Sequence, residues 1–144
     1  MPAVRRGPVL YLFWRLHKWI LSASGGTIAA RVDGFPVLLL RTIGRKTGEP
    51  RTNALAYVGH GDAYVVVGTN AGADFDPAWV QNLRAQPDAE ITIRGRKIAV
   101  RAGESAGEER DNLYEKFVQT SMAYGEYKRR TRREIPVVIL EPVE

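Results

Sequence analysis

The hydrophobic pattern of the chain begins with a helical period. Residues 8–21 place apolar side chains such as Leu10 and Phe13 on one helical stripe, interrupted by the charged Arg15 and Lys18. The segment is too short and too charged for a membrane span, which needs about 20 mostly apolar residues. It predicts an N-terminal amphipathic helix. That helix can lie in the headgroup region of a membrane or pack on the domain or a partner subunit, and both interpretations stay open.

From residue 32 onward, apolar and polar side chains follow a period of two, which predicts β-strands. The apolar stretches lie at residues 37–40, 52–58, 63–67, 91–94, 97–101 and 135–140. Most are joined by short segments with hairpin turn residues. About six short strands connected in this way indicate a mainly β fold with helices, built as a small antiparallel barrel.

Two helices are predicted between the strands. Asp76 can cap the first, with Pro77 at its first position and Pro87 beyond its end. Ser105 and Glu108 have the spacing of a capping box for the second. Its apolar stripe is typical of core packing and consists of Leu113, Tyr114, Phe117 and Val118.

The 144 residues are long enough for one domain that buries roughly 70% of its unfolded surface. Residues 22–26 have the small polar composition of a linker. We therefore divide the chain into an N-terminal helix and linker at residues 1–26 and a barrel domain at residues 27–144.

Composition limits the chemistry. The chain has no cysteine and two histidines, which excludes a thiolate nucleophile and argues against a zinc site or a Ser-His-Asp relay. The net charge of +5 is concentrated in local clusters, so we expect an anionic partner. Aromatic residues are not interleaved with the cations, so nucleic acid is not expected. We expect a cytoplasmic protein, with peripheral contact to the inner membrane surface as an open alternative.

The strongest of these clusters lies in the turn at residues 44–51. Gly44 and Gly48 can adopt positive φ, which would direct successive backbone N–H groups toward one point beside Arg45 and Lys46. Such a turn would bind a phosphate or carboxylate group. It lacks the glycine spacing of a nucleotide-binding P-loop. The alternative is a basic hairpin tip in contact with water alone.

A second loop, at residues 68–77, joins a strand to the first helix. Its small residues would let a flat ligand or a phosphate approach the backbone, and the helix N-terminus adds partial positive charge.

Three segments together resemble one protein family. They are GRKTGEPRTNAL at residues 44–55, GTNAGADFDPAWVQNL at residues 68–83, and IPVVILEP at residues 135–142. Their order and spacing are similar to those of the actinobacterial deazaflavin-dependent nitroreductases, over residues 38–142. The resemblance implies a split β-barrel of the FMN-binding split-barrel type, often a homodimer. It also implies coenzyme F420, a deazaflavin with a poly-glutamate tail, as the cofactor.

Matched by position, the resemblance implies a set of cofactor-binding residues. The phosphate and tail would be bound by Arg45, Lys46 and Thr47, and the ring site would be lined by Pro50, Arg51 and Asn53. Loop contacts would come from Thr69, Asn70, Ala71 and Gly72, and the opposite side would be closed by Trp79, Asn82 and Leu83. The family can have a Ser-Lys pair at Thr69 and Asn70 and a further tyrosine at Ser121, so the substrate range can differ.

The implied reaction is hydride transfer from the reduced deazaflavin to a quinone, an enone or a nitro compound. The resemblance suggests that Tyr124 and Tyr127 wall the acceptor pocket. These tyrosines and Thr69 are the catalytic candidates, since a hydroxyl could bond the acceptor oxygen or relay a proton. Alternatively, the tyrosines only cover the mouth of the barrel. The basic residues 128–133 would form a solvated face or bind anionic lipid.

Two other functions remain open on the sequence. A flavin- or haem-binding split-barrel protein would share the fold and lack the deazaflavin. A non-enzymatic basic module on a membrane would depend steeply on salt and catalyse nothing.

Overall fold

The strands form one curled antiparallel sheet. The computed structural model describes residues 31–32 and 34–143. Its strands are β1 (Arg31–Val32), β2 (Phe35–Ile43), β3 (Pro50–Ala56), β4 (Val58–His60), β5 (Ala63–Val67), β6 (Asp88–Ile93), β7 (Arg96–Glu104) and β8 (Val137–Pro142). Hydrogen-bonded neighbours run in the order β1-β2-β6-β7-β8-β5-β4, and β3 pairs with β2.

The sheet curls because β3 and β4 are consecutive parts of one bent strand. Only Tyr57 separates them, and its N–H donates to the carbonyl of Pro36 at 3.1 Å. β3 pairs with β2, whereas β4 pairs with β5. The two parts of this bent strand therefore connect β5, near one end of the strand order, back to β2, near the other. With β3 and β4 counted together and the short β1 set aside, the predicted barrel of about six antiparallel strands is confirmed.

Several predicted strand limits were wrong by a few residues; β2, for example, runs over Phe35–Ile43 rather than over residues 37–40. The turn between β6 and β7 is formed by Arg94 and Gly95, with φ of 51° and 81°, rather than by Gly95 and Arg96. The last strand begins at Val137. Pro136 precedes it, and its carbonyl accepts a hydrogen bond from Gly68 N at 2.9 Å.

The two larger hydrophobic clusters lie on the two faces of the sheet, and Val37, Leu39 and Ala54 form a small third cluster. Inside the curl, strand residues pack with helix α1 (Ala78–Ala85), which contributes Trp79, Val80 and Leu83. On the outer face lies helix α2 (Gly107–Thr120). The predicted stripe of α2 is confirmed as core, since Leu113, Tyr114 and Phe117 are buried and Val118 packs against them.

Both predicted helix caps were wrong. The residue before α1 is Pro77, and Asp76 instead forms ion pairs with Arg84 and Arg133. At α2, the hydroxyl of Ser105 donates to Glu109 Oε1 at 2.7 Å and caps no backbone N–H. In both places, a nearby charged side chain is the stronger partner for the polar group.

Two helical elements were not predicted at all. One is helix α3 (Ala123–Arg130), and the other is a short 3-10 helix at Asn70–Gly72. The sequence pattern did not predict α3 because the helix is short and contains no fully buried residue, so it lacks an apolar stripe. The predicted N-terminal helix and the boundary after residue 26 lie outside the described residues. In the part that is described, no helix has the length and apolar character needed to cross a membrane.

Candidate functional site

The basic turn between β2 and β3 is closed by its own backbone. Gly44 N donates to the carbonyl of Glu49 at 2.7 Å, and Gly48 N donates to the carbonyl of Gly44 at 2.8 Å. Only Gly48 adopts positive φ, at 75°. Gly44 is needed for a different reason. A Cβ at Gly44 would lie 3.0 Å from Thr47 Oγ1 and 3.1 Å from the Glu49 carbonyl, so any side chain would crowd the turn.

Four backbone N–H groups of the turn have acceptors inside the protein, contrary to the expectation from the sequence that successive N–H groups face one anion. The donors that already have acceptors inside the protein are those of Gly44, Arg45, Gly48 and Glu49. The acceptor for Glu49 N is Thr47 Oγ1, at 3.2 Å. An anion at this turn would therefore be bound mainly by side chains.

The cations of the turn are exposed and have no acidic partner. Among residues 34–143, no ion pair includes Arg45, Lys46 or Arg51. Arg51 lies opposite Thr42 in the register, so it shares a face with that buried residue, and Asn53 lies opposite Leu40 on the same face. The turn thus presents unpaired positive charge at the edge of the inner face.

Asn82 on α1 holds the turn in place. The residue is 3% exposed, and its Oδ1 accepts hydrogen bonds from Arg45 N at 3.1 Å and from Arg45 Nη1 at 3.5 Å. Its Nδ2 donates to Thr42 Oγ1 at 3.2 Å. One buried amide therefore joins α1, the end of β2 and the basic turn. Sequence reasoning selected Asn82 but did not identify this role.

The loop at residues 68–77 is tightly folded. A Cβ at Gly68 would lie 2.7 Å from Val80 Cγ2, so only glycine lets this loop pass so close to α1. The three residues of the 3-10 helix all have positive φ, with 47° at Asn70, 54° at Ala71 and 83° at Gly72. Asn70 Nδ2 donates to the carbonyl of Phe75 at 3.2 Å, so its amide is used within the loop.

Arg133 binds this loop from outside. Its three guanidinium nitrogens donate to the carbonyls of Ala73 and Thr69 and to the carboxylate of Asp76, at distances of 2.7–2.9 Å. Sequence reasoning missed Arg133, because it was placed within a basic run expected to face solvent. No local pattern could have identified it, since two of its acceptors are backbone carbonyls.

Helix α3 brings the two candidate tyrosines next to the outer core. The Tyr124 ring lies 5.2 Å from the rings of Phe35 and Phe117 and 5.5 Å from that of Tyr127. Both tyrosines are half-buried. The hydroxyl of Tyr114 donates to the backbone carbonyl of Tyr124 at 2.6 Å and anchors the start of the helix. Burial raises the pKa of Tyr114 to about 12.

The remaining candidates differ in exposure. Arg45, Lys46, Thr47, Pro50, Arg51 and Ala71 are exposed; Asn53, Thr69 and Asn70 are half-buried; Gly72, Trp79, Asn82 and Leu83 are buried. The structure joins the turn to α1 through Asn82. The loop contacts α3 at Gly72 and the segment that follows α3 through Arg133. The loop itself leads directly into α1.

Two surface cavities lie away from these residues. One, of about 560 Å³, is lined by residues such as Arg110, Glu115 and Lys128. The other, of about 540 Å³, is lined by residues such as His60 and Glu141. Apart from Lys128 and Arg133, which line the first cavity and belong to the basic run at residues 128–133, neither is lined by a residue that the sequence predicted for binding or catalysis.

A family profile and a curated relative identify one family. The profile of the F420H(2)-dependent quinone reductase family matches residues 13–142. An F420H(2)-dependent quinone reductase of Mycobacterium tuberculosis strain H37Rv is 39% identical over 132 residues, which are 88% of this chain and 87% of that protein.

Two solved structures are also similar. One, described as an F420-H2 dependent reductase, has a TM-score of 0.67 and 32% identity over 74% of this chain and 94% of its own. Another, described as a domain-swapped dimer, has a TM-score of 0.69 and 29% identity over 94% of this chain and 100% of its own.

Proposed function

Because the chain belongs to the F420H(2)-dependent quinone reductase family, we propose that it is an oxidoreductase that uses reduced coenzyme F420 to reduce quinones. The observation that carries this proposal is the exposed basic turn. Among residues 34–143 its cations have no acidic partner, and Asn82 holds the turn against α1.

The residues present fit the cofactor. F420 carries a phosphate and a chain of glutamate carboxylates, and Arg side chains form strong paired hydrogen bonds with such groups. Arg45 and Lys46 are exposed and available for this purpose, and the hydroxyl of Thr47 donates no hydrogen bond within residues 34–143, so its proton is available. We assign these three residues to the phosphate and tail.

The ring of the cofactor would lie beside β3, with Arg51 and Asn53 on the inner face of the strand and Pro50 at its start, on the opposite face. The loop residues Thr69, Asn70, Ala71 and Gly72 would contact it from one side, and α1 would close the other through Trp79 and Leu83. We assign Asn82 a supporting role, because its side-chain oxygen already accepts from Arg45 N.

When bound, reduced F420 supplies the hydride, and the protein orients and shields the reactants. Tyr124 and Tyr127 would wall the acceptor side. The hydroxyl of Thr69 forms no hydrogen bond within residues 34–143, so it is available to bond an acceptor oxygen. Enones and nitro compounds are electron-poor, as quinones are, and we include them as further acceptors.

Two further features belong to the proposal. The barrel domain would begin near residue 27 and would form a homodimer, which is supported by the similar structure described as a domain-swapped dimer.

The N-terminal segment and the exposed cations at residues 128–130 would place the enzyme at the inner membrane surface, near quinones. Deletion of residues 1–21 should then abolish co-sedimentation with anionic vesicles and leave activity on soluble acceptors intact. Unchanged co-sedimentation would contradict the membrane part.

The central experiment follows oxidation of reduced F420 with menadione as acceptor, beside separate titrations with FMN and with haem. We expect saturable binding of F420 and turnover. Saturable binding of FMN or haem, with no binding of F420, would overturn the proposal in favour of the flavin- or haem-binding alternative. Vesicle binding without turnover would favour a non-enzymatic basic module.

A further inference from the structure

We propose that Arg133 is a positioning residue that holds the loop at residues 68–77 against helix α3. The inference about the reaction rests on the proposed function, because it assumes that this loop contacts the cofactor and that α3 faces the acceptor. The structural part of the inference does not depend on that assumption.

All three guanidinium nitrogens of Arg133 donate to the loop. Nε donates to the Ala73 carbonyl at 2.9 Å, Nη2 to the Thr69 carbonyl at 2.8 Å, and Nη1 to Asp76 Oδ1 at 2.7 Å. The side chain is 14% exposed. A planar group with donors in fixed directions can satisfy three acceptors around it, whereas a lysine ammonium on a flexible stem cannot reproduce that geometry.

The loop needs such a partner because its backbone is strained. Asn70 and Ala71 both have φ in the left-handed region, which residues other than glycine rarely adopt. The two carbonyls bound by Arg133 belong to Thr69 and Ala73, on either side of this pair. Arg133 therefore ties together the two ends of the strained segment.

The segment that carries Arg133 also fixes the loop to α3. Arg133 follows the end of α3 by a few residues, and between them Thr131 Oγ1 is hydrogen-bonded to Asp74 Oδ1 at 3.2 Å. A Cβ at Gly72 would lie 3.1 Å from Arg130 Cβ and 3.4 Å from Tyr127 Cα. Loop and helix thus touch at several points.

Asp76, the carboxylate that accepts a hydrogen bond from Arg133, is also bound by a second arginine. Asp76 Oδ2 accepts from Arg84 Nη1 at 2.8 Å, and Arg84 also pairs with Glu104 on β7. The loop is therefore held from one side by α1 and the barrel, and from the other side by Arg133. The charge alone does not account for this arrangement, because the neighbouring Arg132 is exposed and forms no ion pair within the described residues.

A consequence for the reaction follows from this geometry. The loop carries Thr69 and Gly72, assigned to the cofactor side, and α3 carries Tyr124 and Tyr127, assigned to the acceptor side. Arg133 connects the two and sets their relative position. Hydride transfer depends steeply on how closely donor and acceptor approach, so loosening this connection should slow transfer more than it weakens cofactor binding.

The first test needs no cofactor. Arg133→Lys keeps the positive charge and removes the planar guanidinium, and Arg132→Lys is the matched control. We expect Arg133→Lys to speed hydrogen exchange of backbone amides in residues 69–76 and 123–130 by about tenfold, and the control to leave both segments unchanged. Unchanged exchange in Arg133→Lys, or faster exchange in the loop alone, would overturn the proposal. If Arg133→Lys fails to fold, Asp76→Asn, which changes the carboxylate acceptor of Arg133 Nη1, provides the same measurement.

The second test uses reduced F420 and menadione. We expect Arg133→Lys to lower kcat by about tenfold and to raise the KM for menadione, with the Kd for F420 changed less than about twofold. An equal loss of F420 affinity, or unchanged kcat, would overturn the link to the reaction. Failure of the proposed function would appear differently, as an absence of turnover in the unmodified protein, and the exchange experiment would still test the connection between loop and helix.

Discussion

The backbone N–H of Arg45 donates to the side-chain oxygen of Asn82, which lies 37 residues further along the chain, at 3.1 Å. The other end of the same amide donates to Thr42 Oγ1 at 3.2 Å. The basic turn is therefore held by a helix that packs into the barrel, and the direction in which its cations point depends on one buried side chain.

Asn82→Ala should release the turn. The substitution leaves Arg45 N and the Thr42 hydroxyl without their partner, which should lower the free energy of unfolding by about 1–3 kcal/mol. The affinity for F420 should fall as well, because the cations of the turn are no longer held in one arrangement. Urea unfolding and F420 titration measure the two effects. The control is Asn112→Ala, since Asn112 is exposed on α2. Full F420 affinity in Asn82→Ala would contradict this role.

Combined Arg45→Ala and Lys46→Ala should weaken F420 binding by at least about tenfold, because each charge-assisted hydrogen bond contributes about 1.5–3 kcal/mol. The rate of transfer at saturating cofactor should change less, since the tail lies away from the reacting ring. Equilibrium titration and single-turnover kinetics separate the two quantities. Arg94→Ala with Arg96→Ala removes the same charge from the exposed β6–β7 turn and should leave affinity nearly unchanged. Equal losses in both double variants would indicate a general effect of net charge.

Gly68→Ala should destabilise the junction between the loop and α1. The new Cβ would lie 2.7 Å from Val80 Cγ2 and 3.3 Å from Pro77 Cδ, and such overpacking costs about 1–3 kcal/mol. Chemical denaturation measures the loss. Gly103→Ala is the control, because a Cβ there meets no atom within 4 Å. Similar unfolding free energies in the two variants would show that the close approach at Gly68 is not rigid.

Tyr114 should make stability depend on pH in the alkaline range. Burial raises its pKa to about 12, above the value near 10 in an unfolded chain, so folding favours the neutral phenol. Its contribution is complete below about pH 10 and is lost as the pH rises toward 12, by about 2–3 kcal/mol. Unfolding free energies between pH 8 and pH 12 measure the loss.

Tyr114→Phe should remove this part of the alkaline dependence and cost about 1 kcal/mol at neutral pH, because the Tyr124 carbonyl loses its donor. Tyr64→Phe, at a half-buried position, should keep the alkaline loss. If Tyr114→Phe lost stability with pH as steeply as the unmodified protein, other groups would be responsible.

The barrel strands and the apolar stripe of α2 could be predicted from the sequence because their signals are local. Alternation of apolar residues predicts a strand whatever lies elsewhere in the chain, and glycine and charged residues mark the turns. Helix α3 and the caps could not be predicted in this way. α3 has no buried stripe, and Asp76 and Ser105 bond charged side chains rather than the helix ends.

The sequence by itself determined the strand pattern, the position of the basic turn and the likeness to F420-dependent reductases. Only the tertiary structure decided which polar groups are already used inside the protein. It gave Asn82 its place between the turn and Thr42, and it distinguished Arg133 from the adjacent Arg132. The physical reason is that the partners of Arg133 include backbone carbonyls up to 64 residues away. Every residue carries such a carbonyl, so only the fold determines which ones an arginine can reach.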